Sequence, residues 1–351
     1  MVKTRIDWID ISKGILILLM VWGHVCSFAE TSGIDSAFIS RCMLFSSLYI
    51  CFFMQAFLVL TGYTSNFNKS FKDFFLSLIK TILIPWVSFS FISQIIRMFN
   101  GGTLCITISN QEFFFLIEDF WFLHVLFFGK LIYYFIYKYI KNDSLRAGLL
   151  LSFMACGFFL FSLHKSMENT YHYNNYLHFK DLLCMMFFIW MGNYLRRKNM
   201  MQAIKGKSLI IIMFLYLLGH LLRLFFRLKG YDELLIAPVI ISHGGNAISP
   251  LQIPAYLYYV ILGSLTCFGL IRYIEKCALL EYFGRNSLVI YCMHFLFISF
   301  AINIVKSLLL PISFPGTIVF VICSLGIVLL SCSVIIYLSK YKPFSFLIGK
   351  F

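Results

Sequence analysis

Charge is what this sequence has least of. Only 13% of its 351 residues are Asp, Glu, Lys or Arg, about half the share a soluble globular chain carries. That excludes an ordinary water-soluble enzyme and leaves a polytopic membrane protein. Cysteines at metal-ligand spacing are also missing. There are eleven cysteines but no C-x-x-C, and most sit inside apolar segments, where a thiol behaves as a small hydrophobic residue. Neither a metal site nor a disulfide framework is expected. The first apolar stretch lacks a clean small-x-small cleavage site and is followed by further spans, so it reads as a membrane helix and not a signal peptide. No internal repeat and no second domain stand out, so residues 1–351 read as one transmembrane domain. Acidic residues are scarce too, 15 against 29 basic for a net charge of +14. A basic stripe interleaved with base-stacking aromatics is absent, however, and no nucleic-acid partner is expected.

What fills the chain is apolar: 60% hydrophobic residues, 41 of them Phe. A bilayer core of roughly 30 Å takes about 20 apolar residues as a helix. Ten such runs occur, near 11–29, 41–63, 74–98, 113–140, 146–163, 178–195, 208–227, 255–272, 282–306 and 315–339. The run LLIAPVII at 234–241 is too short to span and reads as re-entrant or interfacial. The expected fold is all-α, a polytopic bundle of about ten transmembrane helices. Lys3, Arg5 and Lys13, the loops after spans two, four, six and eight, and the segment after span ten together hold 20 of the 29 basic residues, all on one side. By the positive-inside rule both termini are cytoplasmic. The opposite loops, 164–181 and 229–255, are rich in His, Asn and Tyr and include HGGN at 243–246. Each residue there reads as ordinary solvated loop; together they could hold a polar acceptor such as a sugar.

The first helix, DISKGILILLMVWGHV at 10–25, carries an imidazole deep in an apolar run. An ionisable group inside a bilayer costs a few kcal/mol or more and marks function more often than not. Lys13 and His24 are eleven residues apart, so on a helix they differ by about 20° around the axis and by about 16 Å along it. Asp10 falls within roughly 40° of His24 on that face. A cation at the mouth with a neutral imidazole further in suits a long anionic substrate. The plainer readings are a structural histidine and a snorkelling, topology-marking lysine. A second stretch, GRNSLVIYCMH at 284–294, has Arg285 at its cytoplasmic end and His294 about 14 Å deeper. Ser287, Tyr291 and His294 lie within about 60° of one another, and interhelical hydrogen bonding accounts equally for Ser287 and Tyr291.

These stretches resemble the acyltransferase-3 family of membrane acyltransferases. In RIDWIDISKGILILLMVWGH, Arg5, Asp10, Lys13 and His24 fill that family's opening signature. FFMQAFLVLTGY (52–63), KTILIPW (80–86), DFWFLHVLF (119–127) and GRNSLVIYCMH follow in the family's order. Gln55 stands where Pro is common, Thr61 where Ser is common, and Lys80 where Arg is usual. The compact form is similar to members described as fucose 4-O-acetylase-like. The resemblance implies transfer of an acyl group, usually acetyl from cytoplasmic acetyl-CoA, to a hydroxyl of a cell-envelope or exported glycan or a lipid-linked sugar. It implies a bacterial inner-membrane location, with membrane lipids around the bundle and oligomeric state left open. It also implies that His24 is the catalytic histidine and that Lys13 is needed with it. Asp10 joins them as a site candidate, paired with Lys13 or Arg5 and too far along the helix to touch His24.

The chemistry agrees with that implication. A thioester is attacked by a deprotonated hydroxyl in a dry, positioned site, with no metal required. His24 could serve as general base or carry the acyl group itself. Arg5, Lys13, Lys80 and Arg285 are candidates for the CoA phosphates, with snorkelling an equal account of Lys80 and Arg285. Asp119, Glu118, His124, Tyr291 and His294 are candidates for the acceptor side, and the two acids could equally be rim charges. His220, Arg223 and Arg227 share a face on which they could meet an anionic acceptor or pair with a carboxylate such as Asp181. The rival readings are a glycan-precursor transporter or flippase, and a membrane sensor whose ionisable residues form a pH switch.

Overall fold

The computed structural model describes residues 7–31, 48–99, 120–167, 179–228, 253–308 and 314–341, with positions 345, 348 and 349. Among the described residues the regular elements are helical and no strand occurs. The run at 234–241 and the HGGN segment lie outside the described residues. In chain order the α-helices are α1 (Asp7–Thr31), α2 (Phe53–Thr64), α3 (Phe71–Leu78), α4 (Ile84–Phe99), α5 (Trp121–Tyr139), α6 (Asp143–Met167) and α7 (Phe179–Arg197). There follow α8 (Lys207–Leu228), α9 (Ile253–Ile271), α10 (Ala278–Arg285), α11 (Ser287–Leu308) and α12 (Phe314–Leu338).

Among the described residues seven stretches are long and apolar enough to cross a membrane: Asp7–Ala29, Phe71–Ser93, Asp143–Phe161, Lys207–Phe225, Ile253–Ile271, Ser287–Leu308 and Val319–Leu338. The protein is thus an all-helical, polytopic membrane protein. The other three expected spans overlap the 12-residue α2 and the 19-residue α5 and α7. These helices are shorter or more polar, and the reason is visible in α7. Its Lys180, Asp181 and Asn193 are buried, so polar groups turned inward lower the span's apolar content without meeting lipid. Conversely, Ile210, Phe214, Leu217, Leu221 and Phe225 of α8 are exposed at helical spacing, a stripe that water would penalise and lipid accepts.

The chain folds as two compact units, residues 1–53 with 270–351, and residues 54–269. In the first, α1 packs against α10, α11 and α12, and α11 against α12. Ile11, Leu16, Val21, Val25 and Cys26 of α1 are sealed from solvent. Two glycines set the α1–α10 crossing. A Cβ on Gly284 would run into the carbonyl oxygen of Asp10, and one on Gly14 into the carbonyl oxygen of Leu280. Small residues let helix backbones touch in this way. The expected ninth span, 282–306, is broken. α10 ends at Arg285, Asn286 leaves the helical region (φ −112°, ψ 14°) with its side-chain amide donating to the Tyr282 carbonyl at 2.8 Å, and α11 starts afresh at Ser287.

In the second unit α7 is the core helix, with fourteen of its nineteen residues buried against α5 and α6. It crosses α2 by the same device: a Cβ on Gly62 would strike the carbonyl oxygen of Ile189, and one on Gly192 that of Val59. One end of the unit is tied by charge. Asp143 accepts from Arg146 at 2.8 Å and from Arg197 at 2.5 Å. Arg146, 3% exposed, also donates to the carbonyls of Ile140 and Tyr137. Between α3 and α4 lies a π turn, Ile79–Leu83. Pro85 follows it, with no N–H for the Thr81 carbonyl and a ring that crowds it. The helix widens there, as π turns do, and presents Lys80 on its exposed side.

Candidate active site

The first unit gathers six of the residues singled out from the sequence: Asp10, Lys13 and His24 on α1, Arg285 at the end of α10, and Tyr291 and His294 on α11. The two histidines meet. The His24 and His294 ring centroids are 5.1 Å apart with the planes tilted by 40°. Phe295 completes a ring cluster, 4.5 Å from His24 and 4.3 Å from His294. The inward-facing sides of two apolar helices explain this. His24 lies between the buried Val21 and Val25, and His294 lies on the buried face that carries Ile290, Tyr291 and Ile298.

The environments of the two rings differ. His24 is half-buried, whereas His294 is 0% exposed. The His294 Nδ1 lies 2.7 Å from the Tyr291 carbonyl oxygen and 3.1 Å from that of Ile290. A carbonyl only accepts, so the proton sits on Nδ1 and Nε2 keeps its lone pair. That Nε2 is buried and has no hydrogen-bond partner among the described residues. Tyr291 is itself buried, its ring 6.1 Å from that of His294.

At the other end of α1 the charges are organised around Arg285. Its Nε donates to Asp10 at 3.2 Å and its Nη2 to Glu281 at 2.5 Å, with the guanidinium 39% exposed. From the sequence Asp10 could pair with Lys13 or Arg5; the structure adds Arg285 as a partner, carried to it by the Gly14–Gly284 crossing. Lys13, half-buried, follows Asp10 by three residues on the same helix. Arg5, Glu118 and Asp119 lie outside the described residues. Lys80 and His124 belong to the second unit. Lys80 is exposed on the π turn, and His124 is 2% exposed against the rings of Trp86 and Phe128. His220 lies between the rings of Tyr216 and Tyr259 in that unit, edge-on to the first and tilted against the second.

Sequence reading missed Glu281 and Phe295. Glu281 was detectable, since a Glu four residues before an Arg on a helix is a standard pair. Phe295, one of 41 phenylalanines, carried no distinguishing signal. Among the described residues no three His, Cys, Asp or Glu side chains converge as a metal site. What the arrangement offers chemically is a half-exposed imidazole, backed by a second, sealed imidazole with a bare lone pair, on a helix whose mouth carries a cation.

The acyltransferase-3 sequence pattern, described as an acyltransferase domain, matches residues 6–337. No curated protein and no solved structure matches the chain. The matched stretch takes in α1 with Asp10, Lys13 and His24, and the α10–α11 segment with Arg285, Tyr291 and His294. With helices of membrane-spanning length throughout and the family pattern over nearly all of it, the chain belongs to the acyltransferase-3 family of membrane acyltransferases.

Proposed function

We propose that the protein is an acyl-CoA-dependent O-acyltransferase, moving an acetyl group from cytoplasmic acetyl-CoA to a hydroxyl of a cell-envelope or exported glycan or a lipid-linked sugar, in a bacterial inner membrane. The observation that carries this reading is the half-buried His24 ring, on the same helix as Lys13 and packed against His294 and Phe295. The donor set fits the substrate. Lys13 and Arg285 supply positive charge for phosphates, as a point charge and a fork respectively. The imidazole further along α1 lies beside apolar rings where a thioester can sit in a dry environment. As general base, His24 takes the proton of the acceptor hydroxyl while its oxygen attacks the thioester carbon. The C–S bond then breaks, and the proton passes to the departing thiolate. As acyl carrier, a His24 nitrogen attacks the thioester carbon, the C–S bond breaks and the thiolate leaves with the imidazole's proton; the acceptor hydroxyl oxygen then attacks the acyl-imidazole, the C–N bond breaks and the hydroxyl proton returns to the imidazole. Detection of acyl-His24 on incubation with acetyl-CoA alone selects the second route.

Purified full-length protein in detergent should consume acetyl-CoA and release free thiol, with water taking the acetyl group in place of the acceptor hydroxyl. His24→Ala should lower that rate by about 10²–10⁴-fold while its thermal unfolding stays near that of the native protein. Retained thiol release in a folded His24→Ala variant, or transport of a glycan precursor with no acyl-CoA dependence, would overturn the reading.

A further inference from the structure

His294 has no part in the reaction as written above, yet its setting is specific. We propose that His294 is the positioning residue of His24: its Nε2 lone pair accepts the N–H of the His24 ring, turning the other His24 nitrogen toward the reactants. This rests on His24 being the reacting group.

Four observations carry the inference. The two carbonyls that take the Nδ1–H fix the His294 tautomer, so Nε2 can only accept. That lone pair is sealed from water without a partner among the described residues, an unfavourable state until a donor arrives. The centroid separation is 5.1 Å. An N–H···N bond of about 2.9 Å needs ring centres no more than about 5 Å apart, since each nitrogen lies about 1.1 Å from its ring centre; the spacing permits the bond, and a rotation of the His24 ring would form it, Nε2 having no partner among the described residues in the present geometry. Finally, burial orders the two groups. His24 is half-exposed and His294 fully enclosed, so reactants meet His24 first and His294 stands behind it.

The role is the one that the third member of a nucleophile–base–orienter set performs. Here the orienter is a neutral imidazole. Asp10, the carboxylate on the face of α1 that carries His24, lies about 21 Å along the helix from it and is held by Arg285. A neutral acceptor also adds no charge to an apolar site. When His24 takes the hydroxyl proton both its nitrogens carry hydrogen. One N–H is then held by His294, and the other returns its proton to the thiolate.

Two variants separate positioning from packing. His294→Phe keeps a ring of similar size and removes the acceptor; His294→Gln restores an amide oxygen. The full-length protein in detergent is assayed for acetyl-CoA consumption, and His24 reactivity is read independently by carbethoxylation with diethyl pyrocarbonate, localised by mass spectrometry. His294→Phe should lower kcat about 100-fold with KM unchanged and slow carbethoxylation of His24 about 10-fold, and His294→Gln should recover most of both. The proposal is overturned when His294→Phe leaves both rates within about twofold of native, or when folded His294→Gln is as impaired as His294→Phe. The carbethoxylation readout does not depend on acyl transfer, so a native protein that leaves acetyl-CoA untouched removes the proposed function and still tests the positioning. Nitrogen-15 NMR of histidine-labelled native protein gives a check without substitution: His294 must hold its proton on Nδ1, and an Nε2–H tautomer would sink the idea.

Discussion

Arg285 donates to Asp10 at 3.2 Å although the two stand 275 positions apart in the chain. The contact exists because Gly284, the residue before the arginine, seats its backbone against Asp10 itself. The crossing of α1 and α10 therefore fixes both the helix packing and the charge pattern at the mouth of the site.

The guanidinium is 39% exposed, so the pair is worth less than about 1 kcal/mol to stability. Arg285→Ala should barely shift thermal unfolding. As a phosphate contact it should raise the KM for acetyl-CoA about tenfold with little change in kcat, the signature of lost uniform binding. Asp10→Asn should move KM the other way, because a carboxylate that competes for the guanidinium has been neutralised. Initial rates against acetyl-CoA concentration check both signs.

Gly284→Ala should destabilise the protein by about 1–3 kcal/mol, the range for overpacking, because its Cβ meets the Asp10 carbonyl and a backbone cannot rotate away. Gly148→Ala is the control. Nothing lies within 4 Å of a Cβ there, and Ala in a helix interior is favoured over Gly by roughly 0.5–1 kcal/mol. Thermal melts in one detergent should place the two variants on opposite sides of the native protein.

Asp143 holds Arg146 and Arg197 at once, and Arg146 is almost fully buried. Asp143→Asn keeps the shape and removes the charge, leaving two guanidinium groups close together near the ring of Tyr137, 4.5 Å and 5.8 Å from its centroid. A loss of about 1–3 kcal/mol follows for charged hydrogen bonds. A double-mutant cycle with Arg197→Gln should return a coupling energy of the same order.

Arg146 and Arg197 come from loops that the charge pattern assigns to one membrane face, and they meet on one carboxylate. By the positive-inside rule the same pattern predicts that both termini are cytoplasmic. Fluorescent-protein fusions at either end should fluoresce, and alkaline phosphatase fusions at either end should be inactive. A phosphatase-active fusion at one end would overturn the assignment.

Much of this architecture is legible in the sequence because hydrophobic runs of span length have few other uses. The helices at 7–31, 207–228, 253–271 and 314–338 follow from apolar content alone. α7 also follows from its apolar run at 178–195, but the burial of its Lys180, Asp181 and Asn193 at the core of its unit does not. The break at Asn286 is also hidden. GRNSLV has no proline, and a run of apolar residues after it reads as one continuous span.

The site was legible as two separate stretches. Spacing on one helix placed Lys13 and His24 on a shared face, and the polar face of 284–294 picked out Arg285 and His294. Which residues face each other across helices is a different matter. Local periodicity fixes where a side chain points around its own axis and says nothing of its neighbour. Sequence spacing offers Asp10 only neighbours such as Lys13 and Arg5, while the tertiary contact adds Arg285, 275 positions away.

The sequence by itself determined the membrane class, most helical segments and the candidate residues for the proposed acyl transfer, because each depends on composition and on one-dimensional spacing. Only the tertiary structure decided that His24 and His294 share a site and that one ring is open while the other is sealed. Burial and tautomer arise from contacts between α1 and α11, and those depend on how glycine-scale backbone contact lets the helices of that unit approach.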